Sequence, residues 1–497
     1  MTERRTQLPS ALFARVRRCS ALYLALLGVV LATGLASCTA TPDFRTVSLP
    51  EAPPREAATP PAEAREHARI LATYGGAYGD AKLEALINHT VARLVAASER
   101  PDLKYQVVIL NSPAINAFAL PNGQLYITRG IISLASDSSE LASVLSHEMA
   151  HVIARHANIR EEQARQSVII ASVANDVLGD PQLGALALAK SKLTLASFSR
   201  AQEFEADGIG VGIAARAGYD PYGAVRFLND MQRNAEVKTS GGEADPRTRD
   251  FLSTHPATPD RVKNAQANAR QFSGPGGGRR DRADYLGGLN GMVYGEDPSE
   301  GFVRGRRFLH PKLGFTFVAP QGFSLDNTAQ AVLGVKEGGG QALRLDVVQV
   351  PAQQTLSDYL RSGWIENVDA ANVEELTING FPAATATASG DQWSFRLYAI
   401  RFGSDVYRFI FASKQKSAET DRTFREAINS FRRMSLKESQ EVRPLRIKIV
   451  AVKPSDSIET LAGRMATDKK RARFLVLNGL SSGEHLKPGE QVKIVVE

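Results

Sequence analysis

Cysteine is nearly absent from this chain of 497 residues, which has only Cys19 and Cys38. No thiol pair is left beyond residue 38, so the folded parts must stand on hydrophobic cores rather than disulfides, even in an oxidising compartment. Long apolar runs are also missing. Outside the first 37 residues no stretch reaches the roughly 20 apolar residues that a spanning helix needs, so a bundle of several spanning helices is not expected. A basic surplus is lacking as well. Arg4, Arg5, Arg15, Arg17 and Arg18 against Glu3 put +4 of the formal +7 in residues 1–37. The +3 that remains makes no phosphate-binding face, so a nucleic-acid partner is not expected. No internal repeat is visible, and histidine is scarce, at 8 in the chain. What is present is ordinary for folded protein: 43% hydrophobic and 23% charged residues, in a length suited to two to four domains.

The N-terminus accounts for the clustered arginines. They precede an apolar run from Ala21 to Leu31 that closes in small residues and Leu35-Ala36-Ser37-Cys38. A charged region, a short apolar region and a small-residue site make a secretory signal. The last four residues resemble a bacterial lipobox, in which Cys38 would be lipidated and begin the mature chain. Thr39 stands where inner-membrane retention would want Asp, so by that convention the expected location is the periplasm, anchored by lipid in the inner leaflet of the outer membrane. Pro42, Pro50, Pro53, Pro54, Pro60 and Pro61 then mark an extended tether.

Helical periodicity runs from Glu63 to Ser98. Tyr105–Leu110, Ile115–Leu120 and Gln124–Thr128 follow as strands, the last two joined by a Pro121-Asn122-Gly123 turn, predicting a small antiparallel sheet. The next helix carries the chemistry. Asp137 is a suitable N-cap, Glu140 can complete a capping box, and Leu141 to Arg155 contains neither Pro nor Gly. His147 and His151 are four apart, so their imidazoles leave one face on consecutive turns and can share a zinc ion. Glu148 lies beside them but angularly offset, as a general base requires. A catalytic zinc needs a third protein ligand, and Ser199-Arg200-Ala201-Gln202-Glu203-Phe204-Glu205-Ala206-Asp207 offers two carboxylates, Glu203 and Asp207, on one helix face. One can ligate while the other accepts the free N–H of a ligand imidazole. Glu205 points away and reads as a solvated residue. Gly208, Gly210 and Gly212 in the same helix would allow close packing, and Gly218 would end it.

His-Glu-x-x-His followed by Ser-Arg-x-x-Glu-x-Glu-Ala-Asp resembles the HtpX, Oma-type and CAAX-prenyl-protease family of zinc metallopeptidases over residues 65–270. The likeness is greatest to its soluble periplasmic, BepA-like branch. It implies one Zn²⁺ per chain, with His147, His151 and Glu203 as ligands, Glu148 as base and Asp207 behind a histidine. Asn116-Ala117-Phe118-Ala119 resembles the strand that borders the cleft in such enzymes. Ser253-Thr254-His255-Pro256, with Arg261, resembles a segment whose histidine can cover the metal, making His255 a candidate regulatory ligand. The implied substrates are unfolded or misassembled envelope proteins. Residues 166–198 read as two helices covering the site, a candidate lid.

After Gly274-Pro275-Gly276-Gly277-Gly278, alternating strands with helices at 354–363 and 416–433 predict an α+β domain without a metal or nucleophile constellation. The tail, Val452–Ala462, Leu475–Leu480 and Leu486–Ile494, resembles a LysM module, a β-α-α-β fold that binds peptidoglycan-type glycans. The expected fold class is α+β multidomain. A signal would span 1–37, a disordered tether 38–63 and a mainly helical zincin-type protease domain 64–270. A Gly-rich linker would follow over 271–299, then an α+β domain over 300–437 and a LysM-like domain over 444–497. The expected activity is that of an HExxH zinc metalloendopeptidase of gluzincin type. The competing reading is an envelope chaperone or scaffold tethered to peptidoglycan. Glu148 argues against it, because a structural zinc needs no general base.

Overall fold

The computed structural model describes residues 61–176, 198–239, 251, 255–256, 258–362, 371–390 and 392–497, with no side-chain account for 167–176 and Thr239. The signal, Cys38, nearly all of the tether and the lid segment beyond Asp176 lie outside these residues. Among the described residues no helix is long and apolar enough to cross a membrane.

The periodicity over 63–98 resolves into two helices, α1 (Ala62–Thr73) and α2 (Ala81–Ala97). Gly75 and Gly76 take φ of 76° and 88° between them, and Asp80 restarts the helix by accepting from the N–H groups of Lys82 and Leu83. Three strands follow, β1 (Gln106–Leu110), β2 (Ala117–Ala119) and β3 (Gln124–Thr128), in the order β1-β3-β2. The sheet is mixed rather than antiparallel. β2 returns against β3, but β1 runs parallel to it, Gln106 opposite Gln124 through Leu110 opposite Thr128. Residues 111–123 are long enough for the crossover that a parallel pair needs, and β2 lies within it.

Thr128 caps α3 (Arg129–Leu134), and Asp137 caps α4 (Ser138–Ile153) by accepting from Ser139 and Glu140. The expected capping box does not close. Glu140 instead accepts from the N–H of Ser136, one residue further back, at 2.7 Å. Helix α4 is buried from Ser138 to His151. Around it lie α5 (His156–Asp176), α6 (Arg200–Arg216), α7 (Gly223–Thr239) and α8 (Pro259–Arg270). A Ser199/Gln202 capping box opens α6, and Gly218 at φ 85° follows its end.

Residues 271–299 are not a free linker. Helix α9 (Arg282–Leu289) buries Tyr285, Leu286 and Leu289 in the core shared with α2, α3 and α4, and Tyr285 Oη donates to the Ile132 carbonyl at 2.7 Å. The glycine run suggested a spacer, but these apolar side chains at helical spacing outweigh it. The chain then adds Val293–Tyr294 as a strand beside Leu445–Ala451.

The middle domain holds a seven-stranded antiparallel sheet and a four-stranded sheet of Arg432–Arg433, Phe315–Val318, Arg307–His310 and Phe302–Arg304. Phe315, Phe317, Phe409, Phe411 and Phe431 fill their common core. The last residues run strand (Leu445–Ala451), helices (Ile458–Gly463 and Lys470–Leu477) and strand (Gln491–Val496), the two strands antiparallel. This unit is docked on the C-terminal end of α3. Buried Lys493 donates from Nζ to the carbonyls of Ser133, Leu134 and Ala135 at 2.8, 3.3 and 2.7 Å, closing the C-terminal end of α3.

Candidate metal centre

Helices α4 and α6 meet face to face, and the sequence permits it at one position. A Cβ on Gly210 would stand 3.0 Å from His147 N and 3.1 Å from its Cα, so only glycine lets α6 approach this closely. Gly208 and Gly212 have no such backbone neighbour. The approach brings the HExxH face against the carboxylates of α6. His147 Nε2 is 3.1 Å from His151 Nε2 and 3.6 Å from Glu203 Oε2, and His151 Nε2 is 3.6 Å from Glu203 Oε1. A fourth donor comes from the turn before α8, where His255 Nδ1 lies 3.4 Å from His147 Nε2 and 2.8 Å from Glu203 Oε1. Phe251 stacks on the His255 ring, with centroids 4.4 Å apart.

These four donors fit a zinc ion. All lie within 4.8 Å of one another and all four residues are buried. Donors about 2.1 Å from one tetrahedral zinc stand roughly 3.4 Å apart, close to the 3.1 and 3.4 Å that separate His147 Nε2 from His151 Nε2 and His255 Nδ1. The electrostatics favour a cation at this point. Burial alone would raise the pKa of Glu203, but His147 and His255 pull it far below the usual carboxylate range. Burial works against a charged His147, yet the carboxylates of Asp207 and Glu203 outweigh it and lift its pKa to about 9. His151 is pushed the other way, by burial and by His147.

Asp207 sits behind His147, with Oδ1 3.1 Å from its Nδ1. Arg261 grips both Asp207 oxygens at 2.8 and 2.6 Å and reaches Glu203 Oε2 at 2.7 Å. Burial opposes ionisation of Asp207, but this guanidinium and His147 hold its pKa below the ordinary value. Glu148 Oε1 is buried with no hydrogen-bond partner among the described residues, 3.9 Å from His255 Nε2, and burial raises the Glu148 pKa.

Residues 81–269 match the model of peptidase family M48. Metallopeptidases of this family are zinc-dependent. The Escherichia coli beta-barrel assembly-enhancing protease is 30% identical over 202 residues, 39% of this chain and 40% of that protein. The mitochondrial metalloendopeptidase OMA1 of Schizosaccharomyces pombe is 31% identical over 198 residues, 38% of this chain and 56% of that protein. The Arabidopsis thaliana protein of that name is 34% identical over 177 residues, covering 35% and 34%. The chain thus covers less than two thirds of each of these relatives.

Within residues 81–269 the structure brings together His147, Glu148, His151, Glu203, Asp207 and His255. Strand β2, with Ala117, Phe118 and Ala119, lies at one edge of its sheet and packs against α4. Asn116 Nδ2 donates to Tyr74 Oη at 2.7 Å. Two neighbours escaped the sequence reading. His156 is buried with its Nδ1 2.9 Å from His151 Nδ1, and Glu205, read there as merely solvated, lies 3.3 Å from His156 Nε2. Helical phase does not predict His156, because Arg155 at φ 55° breaks the helix just before it. The concentration of scarce histidines between 147 and 156 was the available signal.

Proposed function

We propose that the chain is a zinc-dependent endopeptidase that cleaves unfolded or misassembled cell-envelope proteins, tethered by lipid at Cys38 to the inner leaflet of the outer membrane. The observation that carries the enzymatic reading is Glu148. Its carboxylate is buried beside a four-donor cluster that could hold a metal, and among the described residues it makes no hydrogen bond through Oε1. A structural metal site has no use for such a group.

In this reading His147, His151 and Glu203 hold zinc and Asp207 orients His147 through Nδ1. When bound, zinc supplies a Lewis acid that polarises the scissile carbonyl and lowers the pKa of a water to about 7. Glu148 takes the proton of the attacking water at its unbonded oxygen and passes it to the leaving amine. Burial raises its pKa and so brings it nearer to the working pH of a base. A peptide laid along β2 would pair its backbone with Ala117–Ala119, which suits sequence-tolerant cleavage of extended chains. His255 acts as a regulatory ligand: with it, four protein donors surround the site, and a catalytic zinc keeps one position open. The C-terminal unit serves as a LysM-like contact to peptidoglycan.

The test compares wild type with Glu148→Gln on an unfolded protein substrate, with zinc content measured in both. The expected result is a variant that keeps zinc and loses cleavage by a factor of about 10² or more. Cleavage surviving in that variant would refute the mechanism and favour the chaperone or scaffold reading.

A further inference from the structure

The two ligand histidines are supported unequally. His147 has a carboxylate behind it, Asp207, whereas among the described residues the group behind His151 is another imidazole. His156 Nδ1 stands 2.9 Å from His151 Nδ1, so a single proton must lie between two nitrogens. Two arrangements are possible. If His156 donates, the remaining proton of neutral His151 sits on Nε2. That nitrogen faces His147 Nε2 at 3.1 Å and Glu203 Oε1 at 3.6 Å, and it could not bind a metal. If His151 donates, Nε2 keeps its lone pair toward the donor cluster. His156 must then carry its own proton on Nε2.

Glu205 decides between them. Its Oε2 lies 3.3 Å from His156 Nε2, and a carboxylate accepts hydrogen bonds but cannot donate them. A proton on His156 Nε2 satisfies it, whereas a lone pair there would face a negative charge. The backbone is bent to make this contact. Arg155 occupies the left-handed region at φ 55°, uncommon for a residue other than glycine, and so the chain turns back at the end of α4 with His156 beneath His151. Phe198 closes the other side of His151, stacked at 4.0 Å.

We propose that Glu205 and His156 form a two-step proton relay that fixes the tautomer of His151, holding its Nε2 as a metal donor. Both are positioning residues, and Glu205 acts only through His156. The relay rests on the zinc-peptidase reading above and adds to it how one ligand is set.

The experiment measures zinc affinity by chelator competition in the full chain for Glu205→Ala, His156→Ala, His156→Gln and the double alanine variant. Glu205 is 59% exposed, so its truncation leaves the core intact. The expected losses are about 10-fold for Glu205→Ala and between 10- and 100-fold for His156→Ala. His156→Gln, whose amide oxygen can still accept from His151, should recover most of the loss. The double variant should be no weaker than His156→Ala alone. Nitrogen NMR of labelled histidine should show His151 protonated at Nδ1 in wild type and a mixture in Glu205→Ala. Unchanged affinity and tautomer in Glu205→Ala, or additive losses in the double variant, would overturn the relay. Wild type that binds no zinc at His151 would overturn the zinc reading and the relay together.

Discussion

Replacing Gly210 by alanine tests the contact on which the site depends. The added Cβ would meet His147 N at 3.0 Å, His147 Cα at 3.1 Å and the Ser146 carbonyl carbon at 3.2 Å. All three are backbone atoms of a helix buried along most of its length, so no rotamer change can make room. The helices must separate by a few tenths of an ångström. Overpacking of this kind costs about 1–3 kcal/mol, while alanine in place of helical glycine returns about 1 kcal/mol. A net destabilisation of roughly 0–2 kcal/mol is therefore small. The effect on the site should be larger. Gly210 is on the same helix as Glu203 and Asp207, whose distances to His147 are 3.6 and 3.1 Å, and any separation lengthens both. Zinc affinity should fall about 10-fold. Gly208→Ala is the control, since its Cβ would meet only Asn268 Nδ2 at 3.6 Å. It should stabilise α6 by about 0.5–1 kcal/mol and leave zinc affinity unchanged. Hydrogen exchange of α4 and α6 amides in the zinc-free chain, with chelator competition, reads both effects. A Gly210→Ala variant that matches Gly208→Ala in both assays would refute the argument.

Two further outcomes follow from the ion pairs. Asp207→Asn removes one anchor of buried Arg261, leaving it Glu203, and should cost about 3 kcal/mol in the zinc-free protein, measured by urea unfolding followed at α4. Because the folded pKa of Asp207 lies below its unfolded value, its contribution is present above about pH 4 and is lost as the pH falls further, so wild type and variant should converge in acid. A stability difference that persists unchanged in acid would contradict this assignment. His255→Ala removes the fourth donor. It should lower zinc affinity yet speed the binding of a hydroxamate, by about 10-fold or more; an unchanged association rate would show that His255 does not cover the metal.

The helix with His147, Glu148 and His151 was legible because its signals are local. A capping aspartate, an unbroken run without Pro or Gly, and a spacing of four place two imidazoles on one face whatever surrounds them. The carboxylates of α6 were legible as a pair for the same reason. The segment after the protease domain was misread because glycine composition is local too, while the burial of Tyr285, Leu286 and Leu289 depends on a core supplied by distant residues. The parallel pairing of β1 with β3 was equally invisible, since strand direction is set by how the chain crosses, not by the strands themselves. By itself the sequence determined which residue types face together on each helix, and so the zinc chemistry available. Only the tertiary structure decided which partner each group meets: Glu203 toward His147 and His151, Asp207 and Arg261 behind His147, His255 against Glu203, and Glu205 under His156 past a left-handed Arg155. Helical phase is fixed over a few residues of backbone. The meeting of α4 with α6 rests on an approach between segments more than fifty residues apart, which a single glycine makes possible.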